Sequence, residues 1–308
     1  MIRTIRPTDV LRLILDGRSL SPDCSHTWDK LGVYQNTVFR STQNAGSIIL
    51  QGQKEPCTVI VNGMHLDGLA SVRLRSGPTT WEVHFLNVPD DSMEDSVSLL
   101  EFLCKLAGDQ GAQKIFLRVP VEDPVIGPAK KSGFEDLFKE ILYKKLGNNF
   151  TQNETNQIFE EVSVTSDSML YRIYSECISS GVKSDYGLTF DEWKDSLEPA
   201  HGEIKEAVYA SEGKIHGWVR VIAGNRGSNR MEILVHPTEE LFIWEQAVNW
   251  GLKKGIRSNS WLMLVPEYQT SLKLALEKLG FIPNETYQLM AASLAVRVEN
   301  SELIPAKA

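Results

Sequence analysis

Three side chains in this 308-residue sequence carry the strongest chemical suggestion. Glu82 and His84 alternate with Val83 and Phe85 in an apolar run, which places both on one face of a strand. Glu232 takes the position that matches His84 in a second run of the same kind, residues 231–235. A carboxylate or imidazole so placed can remove a proton from a nucleophile near neutral pH, directly or through water. The same alternation suits the solvent side of a strand equally well, and the residues alone leave both readings open.

Other chemistries are poorly provided for. The remaining histidines, His26, His65, His201, His216 and His236, show no metal-ligand spacing, and no serine sits in a Gly-x-Ser-x-Gly turn. Cys24, Cys57, Cys104 and Cys177 form no Cys-x-x-Cys pair and read as reduced thiols. Cys104 falls on the apolar stripe Val97, Leu100, Cys104, Ala107 of a helix, where burial would raise its pKa and make it a core thiol rather than a nucleophile. A formal charge of -8 weighs against a nucleic-acid partner, because phosphate binding needs clustered Lys and Arg. It would modestly favour a cationic small molecule. No apolar run approaches the roughly 20 residues needed to cross a bilayer, and no signal-peptide pattern follows Met1. A cytoplasmic protein without membrane contact is the expectation.

The elements that must position these groups occur twice. From Trp81 the chain reads as a strand ending at Pro89, a helix, a strand ending at Pro120, a helix, and Gly133-Phe134. From Arg230 the same landmarks recur as Pro237, Pro266 and Gly280-Phe281, at separations of 148, 146 and 147 residues. Two unrelated folds would not keep such a register. Upstream, residues 65–75 and 214–223 each read as a strand leading into a hairpin. Residues 141–146 and 289–298 read as the closing strands of the two units. The expected fold class is therefore α+β (mixed α/β), with two tandem units, each a mostly antiparallel mixed sheet flanked by helices. The units span 1–148 and 157–299, joined by a polar linker at 149–156 and followed by a tail after Glu299. Residues 36–56 receive no assignment.

This order of elements, the Val88-Pro89 and Val235-His236-Pro237 strand ends, the Gly-Phe helix stops and the opening Ile5-Arg6-Pro7-Thr8-Asp9 together resemble the GNAT superfamily of acyl-CoA-dependent N-acyltransferases, over both halves. The resemblance implies a fourth strand splayed from the fifth, acyl-CoA in the gap, and pyrophosphate at the start of the intervening helix. It implies acetyl-CoA as cofactor, a small-molecule amine as acceptor, and Glu82, His84 or Glu232 as general base. The positions it assigns to the cofactor are Val88, Ser92 and Met93 in the first half, and His236, Leu241 and Gln269 in the second.

The sequence departs from the family pattern at the same places. The usual Arg/Gln-x-x-Gly-x-Gly/Ala run is missing from both halves. Asp90, Asp91, Ser92, Met93, Glu94 and Asp95 stand there in one, and Thr238, Glu239, Glu240, Leu241 and Phe242 in the other. Ser92 with Asp95 reads as a helix cap, and acidic first turns stabilise helices without any ligand. The tyrosine expected four residues before the Gly-Phe glycine is Ala129 or Leu276. The alternative to an acetyltransferase is a non-catalytic tandem protein serving ligand binding, regulation or assembly. A likeness to the aminoacyl-tRNA-dependent ligases with two such units is disfavoured by the acidic charge.

Overall fold

A computed structural model describes residues 1–6, 8–9, 22–31, 57–62, 65–89, 92–147, 158–162, 166–178, 183, 189–200, 202–223, 228–255 and 260–294. Residues 36–56, the linker at 149–156, Asp90, Asp91, His201 and the tail after Glu299 lie outside them.

The first half runs β1 (Ile2–Thr4), β2 (Cys57–Asn62), β3 (His65–Leu74), β4 (Thr80–Asn87), α1 (Met93–Asp109), β5 (Lys114–Pro120), α2 (Ile126–Lys131) and β6 (Glu135–Leu146). The second runs β7 (Glu160–Val162), α3 (Asp167–Cys177), α4 (Phe190–Ser196), β8 (Ile204–Ser211), β9 (Lys214–Ala223), β10 (Ser228–Val235), α5 (Leu241–Lys253), β11 (Ser260–Pro266), α6 (Thr270–Lys278) and β12 (Ile282–Ser293). A single-turn 3-10 helix, Trp28–Lys30, lies in the segment 22–31.

The repeat read from the landmarks has a local physical cause. Helices α2 and α6 stop in the same way, with a left-handed glycine, Gly133 at φ 97° and Gly280 at φ 80°. The following amide then turns back, Phe134 N–H to the Ala129 carbonyl and Phe281 N–H to the Leu276 carbonyl, each at 3.0 Å. Glycine adopts that backbone without a Cβ clash, and the phenylalanine, buried in both halves, anchors the turn in the core. Ala129 and Leu276, the positions where a tyrosine was sought, are fully buried and supply these carbonyls.

Helix α1 begins at Ser92, whose hydroxyl accepts from the Asp95 N–H at 3.2 Å, as its sequence suggests. Its buried stripe is Leu99, Leu100, Leu103, Cys104 and Ala107, with Val97 turned partly outward. These side chains pack on Trp81, Val83 and Leu86 of β4 and on Ile115, Leu117 and Val119 of β5. Burial pushes the Cys104 thiol up to about 12. In the second half Trp244, Ala247 and Val248 of α5 pack on Met231, Ile233 and Val235. Gly251 faces Met231 so closely that a Cβ would lie 2.4 Å from Cε.

The sequence assigns each closing strand to its own unit, and here the structure differs. The twelve strands of the described residues form one sheet in the order β1-β2-β3-β4-β5-β12-β6-β11-β10-β9-β8-β7. Only β4 with β5 and β10 with β11 run parallel. β12 pairs with β5 on one side and β6 on the other, and β6 pairs with β11. Each half thus takes the other's last strand beside its own fifth, and the arrangement is symmetric about the β12–β6 pair. Periodicity could show that these strands exist but not which edge they join, because that choice is between equivalent edges of similar polarity.

β12 buries Tyr287, Leu289, Met290, Ala291 and Ala292 on both of its faces, so neither half is complete alone. Residues 1–153 and 154–308 produced separately should each lack a cooperative thermal transition. Produced together, they should co-purify and melt as one unit. A cooperative melt of the 1–153 fragment by itself would contradict this account.

Candidate functional site

The fourth and fifth strands of each half pair only at their starts. Thr80, Trp81 and Glu82 lie beside Lys114, Ile115 and Phe116, and Ser228, Asn229 and Arg230 beside Ser260, Trp261 and Leu262. Past these residues the parallel pairing stops, leaving a gap between the strands in each half.

The two gaps have different fates. The first is filled by residues 22–31. Cys24 N–H donates to the Leu86 carbonyl of β4 at 2.8 Å, and His26 N–H to the Arg118 carbonyl of β5 at 2.9 Å, so the segment bridges the two strands. Asp23 accepts from Leu86 N–H at 3.0 Å and Ser25 Oγ donates to the His84 carbonyl at 2.9 Å. That carbonyl is available because β4 bulges there: Val72 faces Val83 and Ser71 faces Phe85, leaving His84 as the extra residue. Burial pushes His26 down to about 4, and its ring packs on Tyr287.

The second gap opens onto a cavity of about 200 Å³. Its sheet side includes Trp218, Leu234, Met263 and Leu264, its far wall Leu170 and Tyr174 of α3, Ile178 just past its end and Trp193 of α4, and its rim Tyr268 and Gln269. No shift of register interrupts β9 and β10 here, so Arg230, Glu232 and Leu234 share one face, opposite Met231, Ile233 and Val235.

A charged network lies under the cavity and joins the halves. Glu198 follows α4 and is held over the β3–β4 turn, where Ser76 Oγ donates to the Leu197 carbonyl at 2.7 Å and Thr79 N–H to Asp195 at 3.3 Å. Its side chain is 8% exposed and meets Arg75 at 2.9 Å, Arg118, and Arg230 at 3.9 Å. Burial pushes Glu198 up, but the Arg118, Arg75 and Arg230 guanidiniums outweigh it and hold the carboxyl down at about 2. Glu140 on β6 pairs with Arg118 at 2.6 Å, yet burial dominates and its pKa is raised. Arg75 stacks on Phe116 with 4.4 Å to the ring centroid, and Arg230 on Trp28 with 4.1 Å.

The residues singled out in the sequence are dispersed by this arrangement. Glu82 is 4% exposed and ion-paired with Arg73 at 2.7 Å and Arg75 at 3.4 Å, at the filled gap rather than on a solvent face. His84 lies at the same gap. Glu232 lines the cavity, where burial would raise its pKa but Arg220 and Arg230 lower it. Val88 is in the first core, Ser92 caps α1, and half-exposed Met93 accepts at its sulfur from Lys131 Nζ at 3.0 Å. His236 bonds Thr238 at 2.7 Å, Leu241 opens α5, and Gln269 precedes α6 on the cavity rim. Of the nine, the structure brings only Glu232 and Gln269 to the cavity.

Glu140, Glu198 and Arg230 also line it and were missed. Glu140 and Arg230 carried one usable signal, a charge immediately before a run read as a strand. Glu198 carried none. Among the described residues no group of three or more His, Cys, Asp or Glu is placed to hold a metal, and no helix is long and apolar enough to cross a membrane.

No protein-family model matches the sequence, and no curated protein matches it. Solved structures do match. A GCN5-related N-acetyltransferase from Sphaerobacter thermophilus is 14% identical, with 95% of each chain covered and a TM-score of 0.56. A conserved protein of unknown function from Staphylococcus epidermidis is 12% identical over 77% of this chain and 94% of its own, with a TM-score of 0.51. A tandem GNAT protein from the clavulanic acid biosynthesis pathway is 13% identical over 95% and 98%, with a TM-score of 0.47. The chain has the GNAT acetyltransferase fold, in tandem, as two halves of one mixed sheet flanked, among the described residues, by six helices.

Removing one charge from the network should expose its cost. Glu198→Gln leaves three buried guanidiniums short of a carboxylate and should destabilise the fold by roughly 3–5 kcal/mol in denaturant titration. His26 is held neutral, so its contribution is complete above its ordinary value of 6.5 and lost as pH falls toward about 4. Stability of the natural chain should therefore decline across that window, and His26→Phe should reduce the decline by up to roughly 3 kcal/mol. An unchanged pH slope in His26→Phe would count against a buried neutral imidazole.

Proposed function

We propose that this chain is an acyl-CoA-dependent N-acyltransferase with one working site, in the second half, transferring an acyl group such as acetyl to a small-molecule amine. The observation that supports this is the contrast between the gaps: β10 and β11 diverge onto a cavity, whereas residues 22–31 fill the space between β4 and β5.

The fit to a nucleotide thioester differs in the same sense. At α1, Ser92 already caps the helix and Glu94 and Asp95 occupy its first turn, so a pyrophosphate would meet like charge. The first half does not fit. Helix α5 has no acid in its first turn; Glu240 stands at its N-cap but its side chain caps no amide, and Glu239 is drawn aside to His216 Nδ1 at 2.8 Å. Its first amides can receive an anion. Gln269 offers an amide at the cavity rim. The second half fits.

When bound, acetyl-CoA supplies the activated acyl carbon: the C–N bond forms as the C–S bond breaks, and the proton lost by the amine balances the one gained by the departing thiolate. Glu140 is the base this chain offers, since burial raises its pKa and it lines the cavity. Tyr268 at the rim is a hydroxyl donor for the thiolate. Glu232, held by two guanidiniums, positions rather than accepts protons. A second reading, binding without turnover, is favoured by the ion pairing of all three cavity carboxylates, Glu140, Glu198 and Glu232.

Calorimetric titration with acetyl-CoA and then CoA tests the proposal. Micromolar binding is expected, lost in Leu264→Trp, which fills the cavity. No heat at millimolar acetyl-CoA would reject it. Given binding, turnover of an amine panel should fall by 10²-fold or more in Glu140→Gln, with affinity for acetyl-CoA retained. Binding with no turnover of any amine would select the second reading.

A further inference from the structure

The cavity between β10 and β11 is electrically closed. Five guanidiniums, Arg73, Arg75, Arg118, Arg220 and Arg230, meet five carboxylates, Asp29, Glu82, Glu140, Glu198 and Glu232, in a continuous set of ion pairs. The aromatic faces nearest these charges are also taken, Trp28 by Arg230 and Trp218 by Arg220, with 5.2 Å from the latter guanidinium to the ring centroid. Among the described residues a charged group entering would find no unmatched counter-charge, and it would have to be stripped of water. Most of the remaining wall is apolar, and Leu170, Ile178, Trp193, Leu234 and Leu264 line a space of about 200 Å³.

An acetyl group would place a single methyl in that space. Burying hydrocarbon against such a wall is favourable in proportion to the area covered, so a longer chain gains with each methylene until the cavity is full.

We infer that the site takes an uncharged acyl chain longer than acetyl, of medium length, with its hydrocarbon against the α3 wall. The inference rests on the reading that a thioester binds between β10 and β11. It deepens that reading by naming the acyl class.

Calorimetry with CoA and its acetyl, butanoyl, hexanoyl, octanoyl and succinyl thioesters tests it. Affinity should rise by roughly threefold to fourfold per methylene before levelling. Hexanoyl-CoA should bind at least tenfold more tightly than acetyl-CoA, and succinyl-CoA more weakly than butanoyl-CoA. Leu170→Phe, which narrows the far wall, should abolish the chain-length gain, so that hexanoyl-CoA binds no more tightly than acetyl-CoA. A flat series, or succinyl-CoA binding as tightly as butanoyl-CoA, would overturn this inference and leave the acyltransferase reading standing. Failure of CoA and of every thioester to bind would overturn both.

Discussion

One carboxylate ties the molecule together. Glu198 comes from the second half, yet of the three guanidiniums around it Arg75 and Arg118 belong to the first. Charges removed from water at such a junction are tolerable only when each has a partner at hydrogen-bonding distance, and the cost of a mismatch is several kcal/mol. The relative placement of β3, β5 and β10 is therefore restricted to arrangements that bring all four side chains together. A hydrophobic interface of the same area would accept small slips; this one penalises them.

The first half lends a wall to the cavity of the second. Residues 22–31 close its strand gap, and the same segment carries Trp28 across the junction to stack under Arg230 and line the remaining cavity. Leu31 packs on Leu142 and Tyr287, with Leu262 and Leu264 beside them, so the segment is fixed by strands of both halves. The asymmetry between two similar units is thus productive: the space lost in one supplies a wall in the other.

Much of the fold was legible because its markers are local. The glycine that ends a helix with φ above zero and the phenylalanine behind it must occur at fixed spacing, and they reveal the repeat without any knowledge of partners. Ser92 was legible as a cap for the same reason. The interposed closing strands were not, since the side-chain alternation of β6 and β12 is satisfied at more than one edge. Glu82 was ambiguous, because a charged residue alternating with apolar ones looks the same whether water or arginine lies opposite. Glu198 was hidden altogether: nothing near Leu197 or Pro199 in sequence announces three arginines 32, 80 and 123 residues away.

The place of β12 also has a temporal meaning. β5 ends at Pro120, but the strand that covers its edge is not made until Ser293, 173 residues later. At translation speeds of about 5–20 residues per second, the nascent first half waits roughly 9–35 seconds with a hydrogen-bonding edge exposed. An edge of that kind is a template for any strand that reaches it, including one from a neighbouring nascent chain. Protection during that interval, by a slow-folding intermediate or by a chaperone, is a requirement set by the order of strands rather than by the stability of the finished fold.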